Sequence, residues 1–327
     1  MNLVRAEIGR LAARRFVQVM AVILLAAFGI TVATTMASSH HPSAAELSTA
    51  RAQADLERAN LVALRRECEA ARAQGSPAAG RYPSDCSTID PNQARLENYL
   101  ADVFVFTGEI TPLVYFLAAF LALFGLLVGA SFVGAELTSG GMTNLLLWRP
   151  RRLTVLGTKL GVVLAGVGAL ALVSTVLYVG TFWALAEATG LPGDQHAGFW
   201  GSLVLRCLRG ILFALGATAL GFGIATLGRH TAAALGVVAG YLVVWEIGAR
   251  VVLEVLGPGS PEQWMGSVYV VAWFSGEYTF WTTYACGPGY CGASERVTWL
   301  HAAFLGGAAL ALCLGAAFTS FRRRDLA

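Results

Sequence analysis

Gly134-Ala135-Glu136-Leu137-Thr138-Ser139-Gly140-Gly141-Met142-Thr143-Asn144-Leu145-Leu146-Leu147-Trp148-Arg149-Pro150-Arg151-Arg152 joins two long apolar runs, and its reading decides the fold. Gly140 and Gly141 break the helix arriving from the first run. Met142–Trp148 is long enough for about two helical turns. Pro150 then stops that helix, because proline has no amide proton and its ring clashes with the preceding turn. Two apolar runs joined by so short a polar loop read as two membrane crossings that turn at one face. Leu145, Leu146 and Trp148 form an apolar knob flanked by basic residues, a surface suited to a groove on a partner protein.

Composition supports a membrane solvent. Of 327 residues, 56% are apolar and 13% charged, against about 25% charge in a soluble domain. Mean hydropathy is +0.61. The formal charge of +3 is spread over the ends of apolar runs rather than gathered on one domain, so nucleic-acid binding is not expected.

Outward from the central loop, residues 1–15 place Leu3, Ile8 and Leu11 among Arg5, Arg10, Arg14 and Arg15, the pattern of an interfacial helix. Residues 16–37 are the first span, of about the 20 residues that a bilayer requires. They exceed a signal-peptide core of roughly 7–15 residues, so a retained anchor is expected. Residues 38–111 are a polar insert. Ser43 and Glu46 form a capping box ahead of a helix with Leu47, Ala54, Leu61 and Cys68 at heptad spacing. Asp90-Pro91 predicts a second helix start, so the insert reads as a helical hairpin. The remaining spans are 112–133, 153–186, 203–227, 232–256 and 299–318. Residues 257–298 are aromatic and Gly-broken and read as a re-entrant or interfacial helix pair. The fold class is all-α, with six transmembrane helices.

Six spans put both termini on one side. The positive-inside rule makes that side cytoplasmic, because the loop at 134–152, the Gly228–Thr231 turn and the tail at 319–327 hold most of the short-loop arginines. The insert and 257–298 then lie outside, as do Cys68, Cys86, Cys286 and Cys291. That oxidising compartment permits the pairs Cys68–Cys86 and Cys286–Cys291.

No P-loop occurs: Gly157-Thr158-Lys159 lacks the upstream glycine. No H-E-x-x-H motif occurs, and the five histidines are dispersed, so no catalytic residue or metal site is expected. Charges inside spans cost a few kcal/mol unless paired or wet. Glu246, Arg250 and Glu254 recur every four residues on the fifth span, one stripe of an α-helix. A network joining them to Arg206 or Arg209 of the fourth span is expected, either as the wall of a substrate path or as a structural ion-pair cluster.

The chain resembles the permease subunit of type-2 ABC exporters in Glu136, Ser139-Gly140, Leu145–Trp148, Pro150, Arg151-Arg152 and Lys159, and in its six-span layout with a basic N-terminal helix. The insert at 38–111 is larger than in compact members. The resemblance implies a half-transporter in the cell membrane that pairs with a second permease copy. Residues Glu136, Gly140, Gly141, Leu145, Leu146, Trp148, Arg149 and Pro150 would dock a separate cytoplasmic ATPase, which would bind ATP and Mg; no cofactor is bound by this chain. It would export a hydrophobic or amphipathic compound such as a drug, antibiotic or lipid. The alternative is a membrane sensor or immunity protein that uses the insert as a receptor.

Overall fold

The structure, a computed structural model, describes residues 2–74, 81–83, 85–148, 151–195, 197–256, 261–286 and 289–323. The helices are α1 (Asn2–Ala13), α2 (Arg15–Ala37), α3 (Ala44–Ala73), α4 (Phe106–Thr138), α5 (Gly141–Trp148), α6 (Arg152–Thr189), α7 (Phe199–Gly228), α8 (Thr231–Gly240), α9 (Arg250–Leu256), α10 (Gly266–Ser275) and α11 (Trp299–Arg323). A π-helical stretch, Tyr241–Ala249, makes α8 and α9 one continuous rod. Among the described residues, six helices are long and apolar enough to cross a membrane: α2, α4, α6, α7, the rod Thr231–Leu256, and α11. The chain divides into two compact units, one of Met1–Phe28, Thr111–Tyr178 and Gly198–Ala327, the other of Gly29–Ile110 and Val179–Ala197.

In the first unit small residues let α4 and α7 approach closely. A Cβ on Gly125 would meet Thr218 Oγ1 and Ala214 O, one on Gly129 would meet Thr218 O, and one on Gly221 would meet Leu126 O. Backbone contact through a Gly-x-x-x-Gly face is how helices gain packing where lipid is as apolar as leucine. Thr218 itself is fully buried, its hydroxyl donating to Ala214 O at 2.7 Å. The main core runs through Phe124, Val128, Phe132, Leu156, Val163 and Phe222. Toward one end it gathers Leu11, Val17, Met142, Val155, Ala225, Ala234 and Phe321, so seven separate elements converge there.

The aromatic segment departs from the expected helix pair. Among its described residues only α10 is a helix of two or more turns; Glu277–Cys286 (β1) and Gly289–Thr298 (β2) pair antiparallel with Glu277 opposite Thr298 and Cys286 opposite Gly289. Tyr278, Thr279, Phe280, Trp281, Thr282, Thr283 and Tyr284 supply the aromatic and β-branched residues that favour a pleated surface. Gly276, at φ +100°, takes the left-handed turn from α10 into β1. Met265, Val268, Ala272, Phe280 and Val297 form a small core between helix and hairpin.

The second unit is built on α3. Ser43 caps it with the reciprocal bonds of a capping box: Glu46 N donates to Ser43 Oγ, and Ser43 N donates to Glu46 at 2.7 Å. Cys68 and Cys86 are disulfide-bonded, Cα atoms 5.9 Å apart across a separation of 18 residues, a closure worth about 3 kcal/mol in the chain-entropy account. The second arm of the expected hairpin is not a helix. Asp90 does cap a turn, but Pro91–Gln93 and Leu96–Tyr99 are single 3₁₀ turns. Prolines and Asx caps fall too close together in residues 83–92 for a longer helix to propagate. Phe106 N donates to Leu191 O and Leu191 N to Phe104 O, at 3.0 and 2.9 Å. That anchor extends α4 by a turn ahead of Pro112, which therefore lies inside the helix rather than opening it.

Candidate functional site

The charged residues of the first unit are densest where α1, α4 and α6 meet. Lys159 belongs to the second turn of α6, and its side chain is completely buried. Its Nζ lies 2.6 Å from Glu7 Oε2 of α1 and 2.7 Å from Glu136 Oε2 near the end of α4. Arg14, in the break between α1 and α2, completes the arrangement: it bonds Glu136 Oε1 at 2.9 Å and Ser131 O at 2.8 Å. Arg10 reaches Glu7 Oε1 at 3.0 Å from the solvent side. The ring of Phe132 lies under both inner cations, 4.9 Å from the Arg14 guanidinium and 5.1 Å from Nζ; such faces attract cations when water is excluded.

Charge is balanced in the interior. Two carboxylates meet one ammonium and one guanidinium, and each inner group has two polar partners or a ring. Buried ions are tolerated only when so satisfied, and removing one member leaves another uncompensated. The cluster therefore ties three elements into one body. Glu7 is the only inward acid of α1, while Val4, Arg5, Ile8 and Arg15 remain exposed on or just beyond it.

Helix α5 sits beside this cluster. Met142 is buried and Leu145 half-buried in the same core, whereas Leu147 is 79% exposed. This alters the expected knob: Leu145 points inward and Leu147 outward, as the 100° step between helical residues requires once Met142 is the inner anchor. The side chains of Leu146 and Trp148, and all of Arg149 and Pro150, lie outside the described residues. Gly140 adopts φ +72°, a left-handed turn that separates α4 from α5, and Gly141 opens α5.

The expected network on the fifth span is arranged differently. Arg250 pairs with Glu254 at 2.9 Å. Glu246 instead accepts from Tyr241 Oη at 2.8 Å, Ser267 N at 3.0 Å and Ser267 Oγ at 2.8 Å. The π-helical winding explains the difference, since i→i+5 bonding turns the i+4 position off the stripe that α-helical spacing predicts. The fourth-span arginines serve as staples: Arg206 donates to Thr111 Oγ1 at 3.0 Å, and Arg209 donates to Phe274 O at the end of α10 and lies 5.6 Å from the Trp299 ring. The side chains of Cys286 and Cys291 lie outside the described residues; the backbone register sets Cys291 opposite Tyr284, two positions from Cys286.

Sequence reading found Glu136 and Lys159 separately but neither their meeting nor the part of Glu7 and Arg14. One signal was available: Lys159 is the only lysine in the chain, every other fixed cation being arginine. Among the described residues no cluster of three His, Cys, Asp or Glu side chains is placed to hold a metal ion. Comparison with family models, curated proteins and solved structures finds no match to this chain.

Proposed function

We propose that the chain is the membrane-spanning permease subunit of an ATP-driven exporter. The observation that carries this reading is α5: a two-turn helix between two long apolar helices, rooted by Met142 in the core and presenting Leu147 to solvent, beside a buried ionic cluster. A short helix with one anchored and one free apolar face is suited to receive a push from a partner. The cluster couples it to α1, α4 and α6, because buried charges separate only at a cost of several kcal/mol.

The end where α5 lies also carries exposed Arg5, Arg15, Arg151, Arg229, Arg322 and Arg323, while Glu7 and Glu136 are taken up internally. The positive-inside rule assigns that end to the cytoplasm. By the parity of the spans, residues 38–111 and 257–298 would then lie on the non-cytoplasmic side, with the disulfide in an oxidising compartment. Two copies of the chain, or this chain and a homologue, would pair, and separate ATPase chains would bind ATP and Mg and dock on α5. The cargo class is hydrophobic or amphipathic.

The test is ATPase stimulation. With a co-purifying ATPase subunit reconstituted beside the full chain, Leu147→Asp is expected to abolish stimulation while leaving insertion and yield unchanged. Parent-like stimulation by that variant would sink the reading.

A further inference from the structure

We infer that Glu246, with Tyr241, Trp245 and Trp264, forms a binding site for an organic cation: an ammonium, or a comparable fixed charge, carried on an apolar body. Glu246 lies fifteen residues into the rod Thr231–Leu256, about 20 Å along it at helical rise. A charge at such depth costs a few kcal/mol unless it is offset. The other acids on the long helices of the first unit meet cations: Glu7 and Glu136 share Lys159, and the exposed Glu254 holds Arg250. Glu246 has only neutral donors, the Tyr241 hydroxyl and the Ser267 amide and hydroxyl, and no basic side chain within salt-bridge distance among the described residues. The first turn of α10, which it caps, contributes only a partial positive charge. The site is hydrogen-bonded yet lacks a counter-ion.

The surroundings define the chemistry of the missing partner. Tyr241, Trp245 and Trp264 are all more than two-fifths exposed, on the rod and on the segment whose Ser267 bonds this carboxylate. Trp245 Nε1 donates to the backbone carbonyl of Trp264 at 3.0 Å, which ties the rod to the chain ahead of α10. Exposed aromatic rings on the segments that meet at a carboxylate favour a weakly hydrated cation over a metal ion, because the rings offer no lone pairs but a negative quadrupole. Val243, Val244 and Ile247 are exposed on the same turns and suit an apolar body that arrives through lipid.

Two further features indicate that the site is built rather than incidental. A Cβ on Gly266 would collide with Tyr241 Oη and come within 3.0 Å of Glu246 Oε1, so the cradle requires a glycine there. The backbone under Glu246 is the π-helical stretch Tyr241–Ala249, and such winding is frequent at functional positions.

The ammonium could come from a free lipophilic amine or from a choline or ethanolamine headgroup, and the experiment separates these. The purified full chain is placed in nanodiscs of phosphatidylglycerol, which has no ammonium, and titrated with tetraphenylphosphonium by tryptophan quenching and equilibrium dialysis. No nucleotide or ATPase is present, so the result is independent of the exporter reading. Saturable binding is expected. Glu246→Gln should weaken it about tenfold, the loss of one ion-pair-sized contribution, with uncharged triphenylphosphine oxide unaffected. Trp264→Leu, at an exposed ring, is expected to weaken it severalfold and does not depend on how the fold tolerates loss of the carboxylate. In phosphatidylcholine nanodiscs, competition would identify the headgroup as occupant and unchanged binding a free cation; both support the site. Absence of saturable binding in phosphatidylglycerol, or equal affinity in the parent and both variants, would overturn it.

Discussion

Lys159 is a point charge between two carboxylates, with no exposed surface of its own. Its compact ammonium serves both acids, which a planar guanidinium with its fixed fork would not fit in the same space. Replacement by methionine, close in length and apolar, would leave Glu7 buried with only the half-exposed Arg10 to offset it. Lys159→Met is expected to lower unfolding stability by roughly 3–5 kcal/mol, measured by thermal or denaturant unfolding of the detergent-solubilised chain. Glu136→Gln should cost less, because Glu136 is partly exposed and Arg14 keeps its bond to Ser131 O. A Lys159→Met chain that unfolds with the parent would show that the cluster contributes nothing net. The sequence singles out Lys159 as the chain's one lysine, but not its partners. Glu7 and Arg14 are seven residues apart in a basic segment, and only the packing of Leu11 against the main core turns their side of α1 inward.

At the scale of elements, α3 offers a pH-dependent start. Ser43 donates its amide and hydroxyl to the Glu46 carboxylate, with His40 3.2 Å away, and these bonds hold the Glu46 pKa down from 4.5 to about 2. A depressed carboxylate stabilises the folded state above its unfolded value and loses that contribution as pH falls through the folded one. The advantage of the parent over Glu46→Gln in thermal unfolding is therefore expected to be full above 4.5 and to vanish toward about 2; a pH-independent gap would argue against the cap. The capping box was legible because its grammar is local. The hairpin at Glu277–Thr298 was not, because its aromatic residues also fit an interfacial belt, and pairing with Gly289–Thr298 is a tertiary fact. The π winding at Tyr241–Ala249 likewise has no sequence period of its own, so α-helical spacing misassigned the partners of Glu246.

For the whole molecule, hydropathy carried most of the architecture. Six apolar runs became six membrane-length helices, because twenty apolar residues in lipid can satisfy their backbone in few other ways. What hydropathy could not supply was which ends meet. That follows from close glycine contacts between α4 and α7 and from the convergence of α1, α2, α5, α6, α7, α8 and α11 on one end of the core. The cluster at that end has a practical consequence for labelling chemistry. The chain holds one ε-amine, and it is sealed between α1, α4 and α6. Amine-directed reagents are expected to leave Lys159 unmodified in the resting protein, as peptide mass spectrometry would read. Any condition that makes it reactive must have pulled α1 away from its two neighbours. One natural side chain thereby serves as a built-in reporter of opening at this end, without an engineered probe.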